Sequence, residues 1–275
     1  MTKPSVRAQV ITRRTYNRPT DTGYETWEQT VDRVIRHQGW LWDRALGKPN
    51  PDGVYYQSVC AELEELRQLM LDRKVMVSGR TLWLGGTDVA KKREASQFNC
   101  AHLKVETIHD VVDSLWLLLQ GCGVGFTPVV GTLSGFTSPI TTTEVLRSKR
   151  TKKGGHEGNK ESTDNGTWTI TIGDSAEAWA KSIGKLLSFK GKATKFVLDL
   201  TQLRPAGQRL AGYGWISSGD GPISKAFSAI IRILNKKSGQ LLSKMDILDI
   251  MNQLGTVLSS RRSAEIALVY HDTPE

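Results

Sequence analysis

Three cysteines, at positions 60, 100 and 122, are the thiols this 275-residue sequence could bring to chemistry, and their settings differ. Cys100 closes the run Gln97-Phe98-Asn99-Cys100, on a predicted strand just after a glycine break at Gly85-Gly86. A cysteine at a strand end can present its sulfur to a cleft; a small buried hydrophobe is the other fate open to a free thiol. Spacing does not choose between them. Cys60 falls on the apolar side of a predicted helix and is expected in the core. Cys122 lies in Gly121-Cys122-Gly123-Val124-Gly125-Phe126, where alternating glycines let the backbone pass close to another segment or a ligand. That spacing is G-x-G-x-G and it follows a helix, whereas a dinucleotide fingerprint is G-x-G-x-x-G after a strand. A Rossmann site is therefore a poor reading.

Two polar stretches could hold a ligand. Leu203-Arg204-Pro205-Ala206-Gly207 runs on into Gly212 through Pro222, with Gly207, Gly212, Gly214, Gly219 and Gly221 separated by hydroxyl and aromatic residues. The stretch follows a predicted parallel strand at Phe196–Leu200, the end at which α/β proteins bind ligands; an ordinary long connection is the alternative. In Ser260–Glu265, Arg261 and Arg262 offer planar donors for phosphate or carboxylate, or one of them pairs with Glu265. Metal chemistry has no foothold. The histidines (37, 102, 109, 156, 271) and the cysteines form no C-x-x-C or H-x-x-x-H set.

The formal charge of +9 points to an anionic partner, nucleic acid or a phosphorylated small molecule, or serves solubility. Residues 147–166 carry six Lys or Arg and four Gly without a large apolar residue, which predicts a mobile, solvent-facing loop. No aromatic residue stands among them to stack a base, so RNA binding is the weakest reading. Trp168, Trp179 and Trp215 are expected to pack in the core or against loops. Three cysteines in so long a chain make no disulfide framework, and a reducing cytoplasm is expected. The most apolar stretch, Leu115–Leu119, is far short of the roughly 20 residues of a membrane span, and the first residues do not read as a secretory signal.

These residues need a scaffold, and hydrophobic periodicity supplies one. Residues 1–18 are basic, lack periodicity and predict an extended arm. Trp27, Val31, Val34 and Ile35 share a helical stripe; after Asn50-Pro51-Asp52-Gly53 a second helix carries Val59, Leu63, Leu66 and Met70. Residues 1–92 are thus expected to form a mostly helical domain. Beyond it, strands at 98–103, 168–172 and 196–200, with a glycine-spaced turn leading into a strand over 121–130, alternate with helices at 107–119, 175–187, 223–234 and 245–258. Ser243 and either Asp174 or Ser175 are the expected N-caps. Strands alternating with helices of this length imply parallel βα units, so 93–275 predicts an α/β fold.

In order along the chain, several segments resemble the class II, adenosylcobalamin-dependent ribonucleotide reductases. They are Arg14-Thr15-Tyr16-Asn17-Arg18, Glu25-Thr26-Trp27-Glu28, Ser78-Gly79-Arg80-Thr81-Leu82-Trp83, Asn99-Cys100 and Gly121–Phe126. Asp174-Ser175 with Glu177 and Trp179, Asp199 with Arg204-Pro205, Gly212–Pro222, Asp249–Asn252 and Arg261–Leu268 complete the set. The resemblance implies the N-terminal half of the catalytic subunit: a helical domain followed by the first half of a ten-stranded α/β barrel. It implies conversion of ribonucleotides to 2′-deoxyribonucleotides by thiyl-radical chemistry, for DNA synthesis, with adenosylcobalamin as the radical source.

The resemblance also implies roles. Cys100 matches one member of the redox-active cysteine pair, its partner lying outside this chain. Asn99, Gly123, Val124 and Gly125 match the substrate-binding backbone. Ser217, Ser218 and Gly219 match a loop through which a nucleotide effector (a dNTP) tunes base choice. The family's radical cysteine and second reducing cysteine would follow Glu275, and neither Cys60 nor Cys122 matches them. The expected partners are a C-terminal half as a second chain, a ribonucleotide and a thioredoxin-like reductant, with no membrane or nucleic acid. A split enzyme, a gene rejoined by splicing and a fragment all remain open. The competing reading is a non-catalytic nucleotide-binding or regulatory protein on the same fold.

Overall fold

The computed structural model describes residues 4–47, 50–210, 212–213 and 215–258, with the backbone of 264–267. The chain divides into two compact units, Met1–Phe98 and Asn99–Glu275, so the division falls after Phe98 where the sequence suggested residue 92.

The first unit is mostly helical. Its opening residues are α1 (Val6–Ile11) and one π-helical turn (Thr12–Tyr16), not an extended arm. The Ser5 hydroxyl accepts the Ala8 N–H at 3.2 Å, capping a helix too short to show periodicity. A two-residue hairpin, β1 (Pro19–Thr20) with β2 (Gly23–Tyr24), leads to α2 (Trp27–Leu46), α3 (Val54–Leu71), α4 (Gly79–Leu84), α5 (Asp88–Lys92) and a 3₁₀ turn at Glu94–Gln97. Thr26 and Gln29 close a capping box at the start of α2. Val31, Val34, Met70 and Leu82 make the core, with Trp27 and Leu66 against it.

Arg33 enters this unit as a buried cation. Its guanidinium donates to Glu25 at 2.8 and 2.9 Å, to the Leu82 carbonyl at 3.0 Å and to the Gly85 carbonyl. One side chain thereby ties α2 to the end of α4.

The second unit contains β3 (Cys100–Val105), α6 (Ile108–Leu119), β4 (Gly123–Pro128), β5 (Thr142–Leu146), β6 (Lys160–Asp164), β7 (Thr167–Thr171), α7 (Ala176–Ser188), β8 (Lys195–Asp199), α8 (Asp220–Lys236), α9 (Lys244–Gly255) and β9 (Ala264–Ala267). Ser175 and Ser243 are the N-caps of α7 and α9. Two sheets form. One is parallel in the order β3-β4-β9; the other runs β5-β8-β7-β6 and is parallel except for the β6-β7 hairpin. A single apolar core reaches across the unit, including Val105, Phe126, Trp168, Phe196, Phe227 and Leu254. Trp168 and Trp179 lie in it as expected, Trp168 stacked on Phe189 at 3.8 Å.

The basic stretch 147–166 departs from its composition. Its last residues form β6, joined to β7 through Asn165-Gly166 at φ 46 and 74, the backbone that a two-residue hairpin turn of the primed type requires. Its first residues are anchored. Arg147 holds Asp220 with two hydrogen bonds at 2.6 and 2.9 Å, and Arg150 donates to the Thr201 carbonyl at 2.9 Å. Arg147 also holds the Asp220 carboxyl below its ordinary pKa range, against the opposing pull of burial. With Lys149, Gln202 and neighbouring residues these arginines border a hollow of about 640 Å³ at the ends of β5 and β8.

Candidate functional site

Two elements set the position of Cys100. As the first residue of β3 it stands opposite Gly123, the first residue of β4, and the Gly123 N–H donates to the Asn99 carbonyl at 2.7 Å. Side chains alternate along both strands. Val105, Val124 and Phe126 enter the core, whereas Cys100, His102 and Lys104 are exposed. The register places Gly123, Gly125 and Thr127 on that same outer face.

Cys100 therefore lies on an open sheet face beside backbone that bears no side chain at Gly123. This excludes the small-hydrophobe fate for its sulfur. The Val124 side chain turns inward and is 1% exposed, so only its backbone can serve the face.

Gly125 has a second occupant. A Cβ there would meet the His102 Cδ2 atom at 3.1 Å, so the imidazole lies across this glycine. His102 Nε2 is also 3.4 Å from the Thr127 hydroxyl oxygen. His102, Lys104 and Thr127 were not singled out from the sequence; strand alternation counted from Cys100 would have found the first two.

The other cysteines take opposite places to those expected of a uniform core. Cys60 is exposed on α3, a correction to its expected burial: its stripe is apolar in sequence, but only Val59 and Met70 of α3 are fully packed. Cys122 is completely buried. It follows Gly121, whose φ of 85 ends α6 while the Cys122 and Gly121 N–H groups donate to Leu117 and Leu118. This is a Schellman turn, and Cys122 fills its usual hydrophobic position. Iodoacetamide is accordingly expected to label Cys60 and Cys100 in the native protein and to spare Cys122 until it unfolds; peptide mass spectrometry reads all three. Rapid native labelling of Cys122 would contradict this assignment.

The 203–219 loop follows β8. Its two limbs pair: Gly207 N–H donates to the Ser217 carbonyl at 2.9 Å and Ser217 N–H to the Gln208 carbonyl at 2.8 Å. The Ser217 hydroxyl accepts the Gly219 N–H at 3.1 Å, and Ser217 and Gly219 are buried while Ser218 is partly exposed. Arg204 supports the loop base through Asp174 at 2.8 Å. Arg261 and Arg262 lie outside the described residues.

Known proteins resemble this chain. Residues 4–87 match the ribonucleotide reductase alpha domain. The adenosylcobalamin-dependent ribonucleoside-triphosphate reductase of Lactobacillus gasseri is 30% identical over 94% of this chain, and that of Euglena gracilis is 29% identical over 97%. The chain is thus similar in sequence to adenosylcobalamin-dependent ribonucleotide reductases. It spans 40% of the length of the L. gasseri reductase and 35% of the Euglena one. A crystal structure of a B12-dependent class II ribonucleotide reductase superimposes with a TM-score of 0.78 at 23% identity, covering 96% of this chain and 42% of the other. The two share the α/β fold with its helical opening. Among the described residues, no cluster of His, Cys, Asp or Glu could hold a metal ion, and no helix is long and apolar enough to cross a membrane.

Proposed function

We propose that this chain forms part of a ribonucleotide reductase that converts ribonucleotides to 2′-deoxyribonucleotides for DNA synthesis in the cytoplasm. One observation carries the reading: an exposed thiol, Cys100, opens a parallel strand beside bare backbone at Gly123, on the sheet face turned away from the core. A sugar ring can approach a sulfur so placed, and the glycine removes the side chain that would block it.

The reaction assigns Cys100 a redox role. With a second cysteine outside the described residues it supplies two electrons and two protons, forming a disulfide as the 2′-hydroxyl leaves as water and hydrogen takes its place. A thioredoxin-like dithiol then restores both thiols by exchange. Asn99 and the Gly123–Gly125 backbone hold the substrate. The 203–219 loop, through Ser217, Ser218 and Gly219, receives a nucleotide effector. A second polypeptide or C-terminal half completes the ten-stranded barrel over the open face and provides the radical cysteine.

Adenosylcobalamin, on which the similar Lactobacillus gasseri reductase depends, supplies the organic radical when bound. The exposed face at Cys100, beside bare backbone at Gly123, suits a sugar reacting next to such a radical source.

The test is reduction of a labelled ribonucleoside triphosphate by this chain combined with the polypeptide that supplies the remaining cysteines, adenosylcobalamin and dithiothreitol. Deoxynucleotide should form with both polypeptides together and with neither alone. Nucleotide binding without any deoxynucleotide would instead establish the regulatory reading.

A further inference from the structure

We propose that Tyr213 and Gln120 are a positioning pair that ties the 203–219 loop to the turn launching β4, and so sets the backbone facing Cys100. The proposal rests on Cys100 being the reacting thiol, but the linkage itself can be measured without any turnover.

Gln120 caps the C-terminus of α6 and is fully buried, and its Oε1 accepts the Tyr213 hydroxyl. Burial of Tyr213 makes this contact part of the interior, since only 7% of the residue is exposed. Its ring stacks on Trp215 with centroids 4.8 Å apart and planes at 27°. Trp215 in turn accepts the Leu210 N–H at 2.6 Å, so Tyr213 moves with the paired limbs of the loop.

From Gln120 the path to the thiol is short. Gly121 and Cys122 are held by the Schellman hydrogen bonds to Leu118 and Leu117, and the next residue, Gly123, donates to Asn99 beside Cys100. A turn with its N–H groups fixed and its cysteine in the core transmits displacement rather than absorbing it. A change in the loop therefore reaches Gly123 through a buried hydrogen bond and a rigid turn. In this role both Tyr213 and Gln120 act through the position of β4.

Tyr213→Phe removes the hydroxyl and keeps the ring. In this variant the Gly123 amide should exchange with deuterium about fivefold faster, the effect of losing one ordinary hydrogen bond on a local opening. Iodoacetamide labelling of Cys100 should rise in step, with Cys60 as the unchanged reference and Cys122 still protected. Gln120→Met should reproduce the effect, and the double variant should add nothing further, because both changes break one link. Unchanged Gly123 exchange and Cys100 labelling in Tyr213→Phe would overturn the proposal. So would a rise that also exposes Cys122 and speeds exchange throughout the unit, which marks a general packing role. Loss of turnover in Cys100→Ser addresses the functional reading separately, so the two can fail independently.

Discussion

On the proposed function, Cys100→Ser in the reconstituted enzyme is expected to lower repeated turnover by at least about a thousandfold. Serine is nearly isosteric but cannot form a disulfide, so the two electrons for replacing the 2′-hydroxyl have no source in the chain. The substitution should leave the fold intact, because Cys100 is exposed and packs in no core. Nucleotide binding should likewise survive, since the backbone at Gly123 and its hydrogen bond to Asn99 do not use the sulfur. Deoxynucleotide formed per enzyme over many turnovers, beside nucleotide binding by equilibrium dialysis, separates these effects. Turnover within tenfold of wild type would remove Cys100 from the reducing pair.

The largest effect on stability is expected in the first unit. Arg33→Ala should destabilise it by about 3 kcal/mol, the usual scale for removing one partner of a buried ion pair. Arg33 and Glu25 side chains are 10% and 12% exposed. Without the guanidinium, Glu25 keeps the Arg18 N–H at 3.0 Å and the Thr30 hydroxyl at 2.9 Å but loses both arginine hydrogen bonds, while the Leu82 and Gly85 carbonyls each lose a donor. Urea unfolding measures the loss directly.

The same pair predicts the pH dependence. Burial by itself would raise the Glu25 pKa, but the hydrogen bonds and charge of Arg33, with the Arg18 N–H, outweigh it and hold the carboxyl below its ordinary range. A carboxyl lowered on folding contributes its stability fully above its unfolded pKa of about 4.3 and loses it as pH falls through the lower folded value. The gap between wild type and Arg33→Ala should thus be widest at neutral pH and shrink in acid. Other lowered carboxyls, including Asp110 and Asp246, are common to both proteins and cancel in the difference. A gap that holds constant down to pH 3 would show that the cation stabilises through packing alone.

Neighbouring residues made much of the scaffold legible in sequence. Thr26 with Gln29 and Ser243 with Asp246 close capping boxes over three residues, and the apolar stripes behind them run at helical spacing. The strand carrying Cys100 and the one after Gly121-Cys122 could be read the same way. The Asn165-Gly166 turn was legible as well, but the lysines and glycines around it made the segment resemble a solvated loop. Charge describes what faces water; it does not decide whether backbone pairs.

Tertiary structure decided the rest, since it depends on contacts between residues far apart in the chain. Periodicity assigned Cys60 to an apolar stripe, but burial needs an element to pack on that stripe, and among the described residues none covers that part of it. No local pattern contains the sheet order β5-β8-β7-β6, the anchoring of Arg147 to Asp220 across 73 positions, or the placing of Tyr213 against Gln120 across 93. The amino-acid types alone established that Cys100 could do chemistry and that glycines stood ready near it. Which face its sulfur would share, and that the glycine opposite would be Gly123, followed only from the register of two strands separated by a helix.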